Sequence, residues 1–534
     1  MSEYADRDCR RLGQLKGERL PHEQVWRDVF ELMAPERVHG FSSETVTAAD
    51  AQHKRAENHV STAIDAGRIA ASGFASGLHP ANSIWFGLDV GQESQAELHW
   101  LDNAARAIFK NIHAANFDAE MGECYADMVP AGWFVLYIAE AEEGGYQFEH
   151  WPMAECYVSS SKPGRRVDTI HREFELTVEQ VVNQYGLKNV SDQVRERFTL
   201  GGSHLGEKVR VLWVIEPRSA EATGPALAKN KAFASRHTEV NTKHTLRESG
   251  YDEFPCCVPR WRLIPGTPYA TGLGSDALPA IKTLNNIQRM ELASLDIAIS
   301  GMWKAVDDGV LNPKTVRIGP RKMVMMADTK NMEPLVTGAD FNVAFAKSDE
   351  LRAEIRKILL ADQLHPQDGP AMTATEVHAR VQLVRQQMGP IFGRLQAEFL
   401  QPLIERCFAI AYRAGVLGKA PASLAGRDFT VKYISPLARA QRLEEVTAID
   451  VFLGGLAMAS ELDPTLIDLV DMEQAQREKA EALGVPAKLI RSIDQLAERR
   501  KAKQEAEQAM QQQAQAQQLA ATAGDALIQT AVAA

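Results

Sequence analysis

Cysteine is sparse in this 534-residue chain. There are six, Cys9, Cys124, Cys156, Cys256, Cys257 and Cys407, and no C-x-x-C pair among them. That excludes the usual spacings of a zinc knuckle or a redox dithiol, and the adjacent Cys256 and Cys257 suit neither a disulfide nor a metal. A reducing, cytosolic site of assembly is the expectation. Histidine pairs are missing as well: His79, His150, His171, His365 and His378 form no H-x-x-x-H motif, so no metal site is expected. Positive charge is in deficit, with 59 Lys and Arg against 70 Asp and Glu for a net charge of -11. A protein that wins affinity by neutralising phosphates is thereby excluded, and any contact with nucleic acid must be loose or local. No stretch approaches the roughly 18 apolar residues of a spanning helix, and the opening Met1 to Asp6 is polar and acidic. Neither membrane insertion nor secretion is expected.

Motifs for phosphate chemistry and nucleophilic catalysis are also lacking. The nearest approach to G-x-x-x-x-G-K-[ST] is Gly415-Val416-Leu417-Gly418-Lys419-Ala420, which has the wrong spacing and no hydroxyl for magnesium. Gly272-Leu273-Gly274 wants the third glycine of a dinucleotide fingerprint. In Gly73-Phe74-Ala75-Ser76-Gly77 the serine falls one position late for a nucleophile elbow. Cofactors are not expected. A site assembled from residues distant in sequence would leave no such mark.

What the chain does have is length and a distinctive order of parts. It exceeds what one hydrophobic core serves, so two to four modules are expected. The first 115 or so residues read as helical, with Val25, Trp26, Val29, Phe30 and Met33 on one face, and with an Ala, Gly and Ser-rich run from Thr62 to Gly77 whose small side chains permit close helix approach. Trp133 to Ile138, Val167 to Leu176, Val209 to Ile215 and Cys256 to Ile264 predict a β-rich body, and the polar gap from Ser219 to Ser249 a long loop or hairpin. After the turn cluster Pro265-Gly266-Thr267-Pro268-Tyr269, a second helix runs to about Ser300, with Ser275 or Asp276 as its cap and Pro279 in its first turn. Short strands and turns between Met302 and Asp340 predict a small mixed subdomain. A third helix follows, roughly Lys347 to Leu364.

The most specified junction comes next. A Pro/Gly loop, His365-Pro366-Gln367-Asp368-Gly369-Pro370-Ala371-Met372, enters a long helix that opens with the capping-box spacing Thr373-Ala374-Thr375-Glu376. Val377, Val381, Val384, Met388, Ile391, Leu395, Phe399 and Leu403 make one continuous stripe. Pro390 and Pro402 predict bends. A single strand near Phe429 to Ile434 precedes a helical block from Leu443 to about Gln518, whose last part is almost wholly Ala, Gln, Glu and Lys and needs neighbours to bury a face.

This order of parts, together with His79-Pro80-Ala81-Asn82-Ser83-Ile84-Trp85-Phe86, resembles the portal, or head-to-tail connector, proteins of T7-like short-tailed bacteriophages over nearly the whole chain. The resemblance implies an α+β portal-type fold in a ring of about twelve copies. Residues 1–270 would be a β-rich wing of N-terminal helices and sheet, 271–301 and 341–364 paired stem helices, and 302–340 the clip. Residues 365–372 would be a tunnel loop, 373–415 a long kinked helix, 416–442 a strand returning to the wing, and 443–534 a helical crown. Implied partners are double-stranded DNA passing through, the terminase large subunit, the tail adaptor, and the major capsid and scaffolding proteins, with the ring at one capsid vertex after assembly in the host cytoplasm. No catalysis is implied. His365, Gln367, Asp368, Gly369 and Met372 would face the DNA, and Lys314, Arg317, Arg321 and Lys322 would serve clip docking. Lys347, Arg352, Arg356 and Lys357, interleaved with Asp349, Glu350 and Glu354, read most simply as a solvated helix face, the alternative being a channel lining. Other functional readings are a virion scaffold or adaptor without a channel, and a nucleic-acid-processing enzyme.

Overall fold

Apolar residues at helical spacing bury one side of helix α1 (Glu3–Met33): Leu12, Leu15, Trp26, Val29, Phe30 and Met33 are all in the core. Val25, expected on that face, is exposed because it lies about 100° around the helix from Trp26. The structure is a computed structural model that describes residues 3–38, 41, 58–81, 84–90, 95–162, 166–218, 230–300, 303–305, 332–334, 341–364, 389–424, 430–433, 436–460, 470–482, 499 and 501. It divides into two units, one of Met1–Ser83 with Lys110–Ala414 and one of Ile84–Phe109 with Gly415–Ala534.

In the first unit, α2 (Thr62–Leu78) buries Ala63, Ala66, Ala70, Phe74 and Leu78. Its small residues serve the predicted purpose: a Cβ on Gly67 would lie 3.1 Å from Met33 Cε of α1. Strand β1 (Phe86–Asp89) and most of helix α3 (Gln95–Ala114) belong to the second unit. Helix α4 (Phe117–Ala131) ends on Gly132, whose left-handed φ of 90° lets its N–H reach the Met128 carbonyl. Strand β2 (Val135–Glu140) then pairs antiparallel with β3 (Tyr146–Trp151), Val135 opposite Trp151, and on its other side with the short β9 (Cys256–Cys257).

The larger sheet is an antiparallel meander, β4 (Cys156–Ser159), β5 (Thr169–Thr177), β6 (Lys208–Pro217), β7 (Phe233–Glu239) and β8 (His244–Tyr251) in that order. The predicted hairpin within 219–249 is the β7–β8 pair. Between β5 and β6 the chain forms α5 (Val178–Tyr185), started by a capping box of Thr177 and Gln180, and α6 (Asp192–Leu200). Alternation along β6 sends Val211 and Ile215 to one side and Leu212 and Val214 to the other, where they meet Leu12 and Leu15 of α1.

Two buried arginines fasten α1 to this sheet. Arg19 donates to the carbonyls of Met153 (3.1 Å), Ala154 (2.9 Å) and Cys156 (2.8 Å), pairs with Glu23, and lies 4.0 Å over the Tyr157 ring. Arg236 of β7 donates to Asp8 (2.6 and 3.0 Å) and to Glu216 (2.6 Å). The six cysteines are free, five of them buried, and burial pushes the Cys156 thiol up to about 12. These thiols pack as small apolar groups.

Past β10 (Arg262–Leu263) and β11 (Ala270–Thr271) comes the long α7 (Leu273–Ser300). It begins before Ser275 and Asp276, so neither caps it, and Pro279 falls inside the helix rather than in its first turn. Asp276 instead pairs with Arg262 (2.9 Å). Strands β12 (Trp303–Ala305) and β13 (Met332–Pro334) pair antiparallel as the first and last described pieces of the predicted mixed subdomain. Helix α8 (Phe341–Ile358) starts earlier than Lys347, and a short α9 (Ala361–Leu364) follows. The described residues from 389 on are helical, pass through a π-helical turn at Gln396–Leu400 and continue as α10 (Gln401–Arg413).

In the second unit β1 pairs antiparallel with β14 (Thr430–Tyr433), Phe86 opposite Tyr433, so the strand predicted near Phe429 finds its partner more than 300 residues earlier. Helix α11 (Pro436–Ser460) packs with α12 (Met472–Ala482), and Asp450 pairs with Lys479.

Candidate functional site

Helices α7 and α8 pack against each other. Ala277, Ile281 and Leu284 are buried on the first helix, and Leu351, Ile355 and Leu359 on the second helix and its end. Two polar contacts pin their register: Ser348, fully buried, donates to Glu291 (3.1 Å) and accepts from Gln288 (3.4 Å), which also donates to Glu291. Met290, Leu292 and Leu295 of α7 and Phe345 of α8 are left exposed.

The predicted basic residues of this pair are mostly occupied by neighbours. Lys347 pairs with Glu350 (2.9 Å), Arg352 with Asp349 (2.8 Å) and Arg356 with Asp362 (2.7 Å). Lys357 is exposed and has no ion pair among the described residues. The face is therefore close to neutral, as expected of interleaved charges on a solvated helix.

The root of the pair is a crossing of bare backbone. A Cβ on Gly272 would stand 2.6 Å from the Gly132 nitrogen and 2.7 Å from the Val129 carbonyl oxygen, and one on Gly274 would stand 2.7 Å from Met33 Sδ and from Val29 Cγ1. Only glycines let α7 begin this close to the ends of α4 and α1. Lys282 pairs with Asp28, and the His59 N–H donates to Asn285 (2.9 Å). At the far end of α8, Leu360 takes φ +60° and separates α8 from α9, an unusual conformation for a leucine.

The helix after residue 389 is bolted to the same body. Glu398, inside the π turn, accepts from the Arg260 backbone N–H (3.1 Å), its Nε (3.0 Å) and its Nη2. Arg394 donates to the Trp261 carbonyl (3.1 Å), and Phe399 lies against Phe134 (5.5 Å) and His79 (6.4 Å). His79 bonds the Tyr125 hydroxyl (3.1 Å), and burial lowers its pKa to about 4, so it is a neutral core residue. Farther on, Tyr146 donates to the Cys407 carbonyl (2.9 Å) and Arg406 to Glu253 (2.6 Å). A π-helical turn lies directly before Pro402, where a bend was predicted.

His365, Gln367, Asp368, Gly369 and Met372 lie outside the described residues, as do Lys314, Arg317, Arg321 and Lys322, the Thr373–Glu376 capping box and the Gln/Ala tail. A cleft of about 960 Å³ runs beside α1 and holds Arg37, Asp127 and His150. Its charges satisfy one another, Asp127 accepting from Arg37 and His150 at 2.7 Å each. Among the described residues no group of His, Cys, Asp and Glu has the geometry to hold a metal, and no helix is long and apolar enough to cross a membrane. Sequence reasoning missed the glycine crossing and the Arg260–Glu398 lock. The dense glycines at 272 and 274 were the available signal for the first. The second joins residues 138 apart and leaves no periodic mark.

The fold and site thus define a mixed protein of helices and antiparallel sheets in which two long helices pack together and the first of them begins at a close glycine crossing. The bacteriophage head to tail connecting protein family matches residues 7–490, and the chain belongs to that family. It is 28% identical over 524 residues to the probable portal protein of Bordetella phage BPP-1, covering 96% of this chain and 93% of that one. It is 27% identical over 529 residues to the portal protein of Salmonella phage epsilon15, covering 95% and 92%. Among solved structures, a chain in the neck of an empty gene transfer agent particle aligns with 76% of this chain and 90% of its own length at 14% identity and a TM-score of 0.37. A chain of the native gene transfer agent virion aligns with 72% and 89% at 15% identity and a TM-score of 0.32.

Proposed function

We propose that this chain is the subunit of a phage portal, a ring of about twelve copies at one capsid vertex through which double-stranded DNA is packaged and ejected. The observation that carries the reading is the match to the connector family across residues 7–490, joined to near end-to-end similarity with two chains named as portal proteins. In this reading α7 and α8 are the stem, the sheets and N-terminal helices the wing, 302–340 the clip, and 443–534 the crown. The loop at 365–372 faces DNA through His365, Gln367, Asp368, Gly369 and Met372. Lys314, Arg317, Arg321 and Lys322 dock the terminase large subunit and later the tail adaptor, while capsid and scaffolding proteins meet the rim. The protein acts by shape and charge, without catalysis.

Charge supports passage rather than grip. A ring of about twelve acidic chains carries roughly -130 charges, and repulsion of phosphates is confined to about 8 Å by physiological salt. The test is electron microscopy of the purified full chain along the symmetry axis, paired with ATPase and nuclease assays. Rings without turnover are expected. A monomer with either activity overturns the reading.

A further inference from the structure

We propose that the π-helical turn Gln396–Leu400 is a register switch held in place by the Arg260–Glu398 pair. A π turn accommodates one residue more than an α-helical path of the same length, so its conversion to α must slide one flank by a residue, about 1.5 Å along the axis and about 100° around it. The flank that stays is the C-terminal one. Leu403, Ile404, Cys407 and Ile410 are buried, and Tyr146, Arg406 and Arg413 tie α10 to the body through the Cys407 carbonyl and Glu253.

The other flank is held less deeply. Gly389, Pro390 and Gly393 are exposed and Ile391 and Phe392 half-buried, Leu395 is its buried apolar anchor, and Arg394 donates to the Trp261 carbonyl. Glu398 lies within the turn and receives three donors from Arg260, with both side chains nearly buried. A one-residue slip would carry the carboxylate away from all three donors. Pro402 makes the two registers closer in energy, because the residue that would bond the Glu398 carbonyl in the α register has no N–H. The Gln401 N–H bonds the Gln396 carbonyl now and would bond the carbonyl of Ala397 after the slip. What the slip is used for rests on the portal reading, in which residues 389–395 lead back to the DNA-facing loop. The slip itself does not depend on it.

The experiment is hydrogen exchange on the purified full chain with Glu398→Ala, and with Arg260→Lys as a milder variant that keeps the backbone N–H and one side-chain donor. Amides of 389–401 are expected to exchange at least tenfold faster in Glu398→Ala, and less so in Arg260→Lys, while those of 403–413 keep wild-type protection. Acceleration under tenfold, or acceleration that spreads equally through 403–413, overturns the switch, the latter because the pair is then only a structural clamp. Deletion of Ala397 gives a second measure: it removes the extra residue, so an electron-microscopy map should show unbroken α-helix with both flanks in their present orientation. A persisting π turn in that variant overturns the proposal. Failure of the wild-type chain to form rings would count against the portal reading and leave these readouts valid.

Discussion

Replacing Arg19 by methionine, which has similar reach and no charge, is expected to loosen the attachment of α1 to the larger sheet out of proportion to one residue. The guanidinium is almost fully buried and answers three carbonyls, those of Met153, Ala154 and Cys156, besides the Glu23 carboxylate. Each carbonyl left buried without a donor costs about 1–3 kcal/mol, and removal of one partner from a buried charged network costs about 3–5 kcal/mol. Methionine retains some packing against Tyr157, so about 3–4 kcal/mol is the expected loss. At about 1.4 kcal/mol per factor of ten, amides of β4 should exchange two to three orders of magnitude faster. Arg106→Met is the control: Arg106 is partly exposed, and its surface pair with Asp102 one helical turn away is worth less than about 1 kcal/mol. Exchange of β4 in Arg19→Met within threefold of wild type would refute the reasoning, since it would mean that the three carbonyls find other partners at no cost.

Stability is expected to fall as pH drops from about 6.5 to about 4. Burial holds His79 and His171 at about 4 and His237 at about 3, so over that range the unfolded chain takes up protons that the folded chain does not. The urea midpoint at pH 4.5 should lie below that at pH 7, and His171→Leu should flatten the slope; a steeper slope in that variant would contradict the assignment. Gly272→Ala should cost about 1–3 kcal/mol, because its Cβ meets backbone atoms that cannot yield alone, and a melting temperature equal to wild type would count against a rigid root. At Leu360, valine should destabilise by about 1–2 kcal/mol while glycine stays within about 1 kcal/mol of wild type; equal unfolding midpoints for the two would show that the left-handed backbone carries no strain. If the stem meets phosphates, the double change Asp349→Asn with Glu350→Gln should release Arg352 and Lys347 and steepen the salt dependence of DNA retention by the ring, by about 0.9 in the logarithmic slope per freed cation; an unchanged slope places that face away from DNA.

Much of the element order was legible because it rests on local chemistry. Aromatic and β-branched runs marked β2, β5 and β6, and a polar stretch between apolar strands marked the β7–β8 hairpin. The start of α7 was misplaced because the Gly272–Gly274 segment reads as a loop until its contacts with Gly132 and Met33 are known. Helix α8 began earlier than its charged stretch suggested, since Phe341 to Ala346 lacks the acidic and basic pairs that made the rest conspicuous. The pairing of β1 with β14 and the Arg260–Glu398 lock are long-range, and neither strand nor charge carries a mark that names its partner. For the candidate site, the two helices α7 and α8 and the charged face of α8 were readable. Their ion pairs at a separation of three could be anticipated from helical geometry, but the six-residue reach from Arg356 to Asp362 could not, because it needs the break at Leu360.

The two kinds of charge in this chain serve different mechanical ends. Arg19 and Arg236 are buried and held by several acceptors each, so exchanging any partner leaves a group stranded in a low dielectric and the joint behaves as rigid. Lys347, Arg352 and Arg356 are at least partly exposed and paired with near neighbours on α8 and α9, where each bond is worth less than about 1 kcal/mol. On the portal reading, a phosphate arriving at such a pair displaces a carboxylate at almost no net cost, and the carboxylate reclaims the cation when the phosphate leaves. Neither state is deep enough to arrest a moving duplex. A wall of free lysines would bind DNA, and a wall without cations would only repel it. On the portal reading, locally paired cations on a stem that begins at a close backbone crossing give a surface nearly flat in energy, which is what transit of a long polyanion requires.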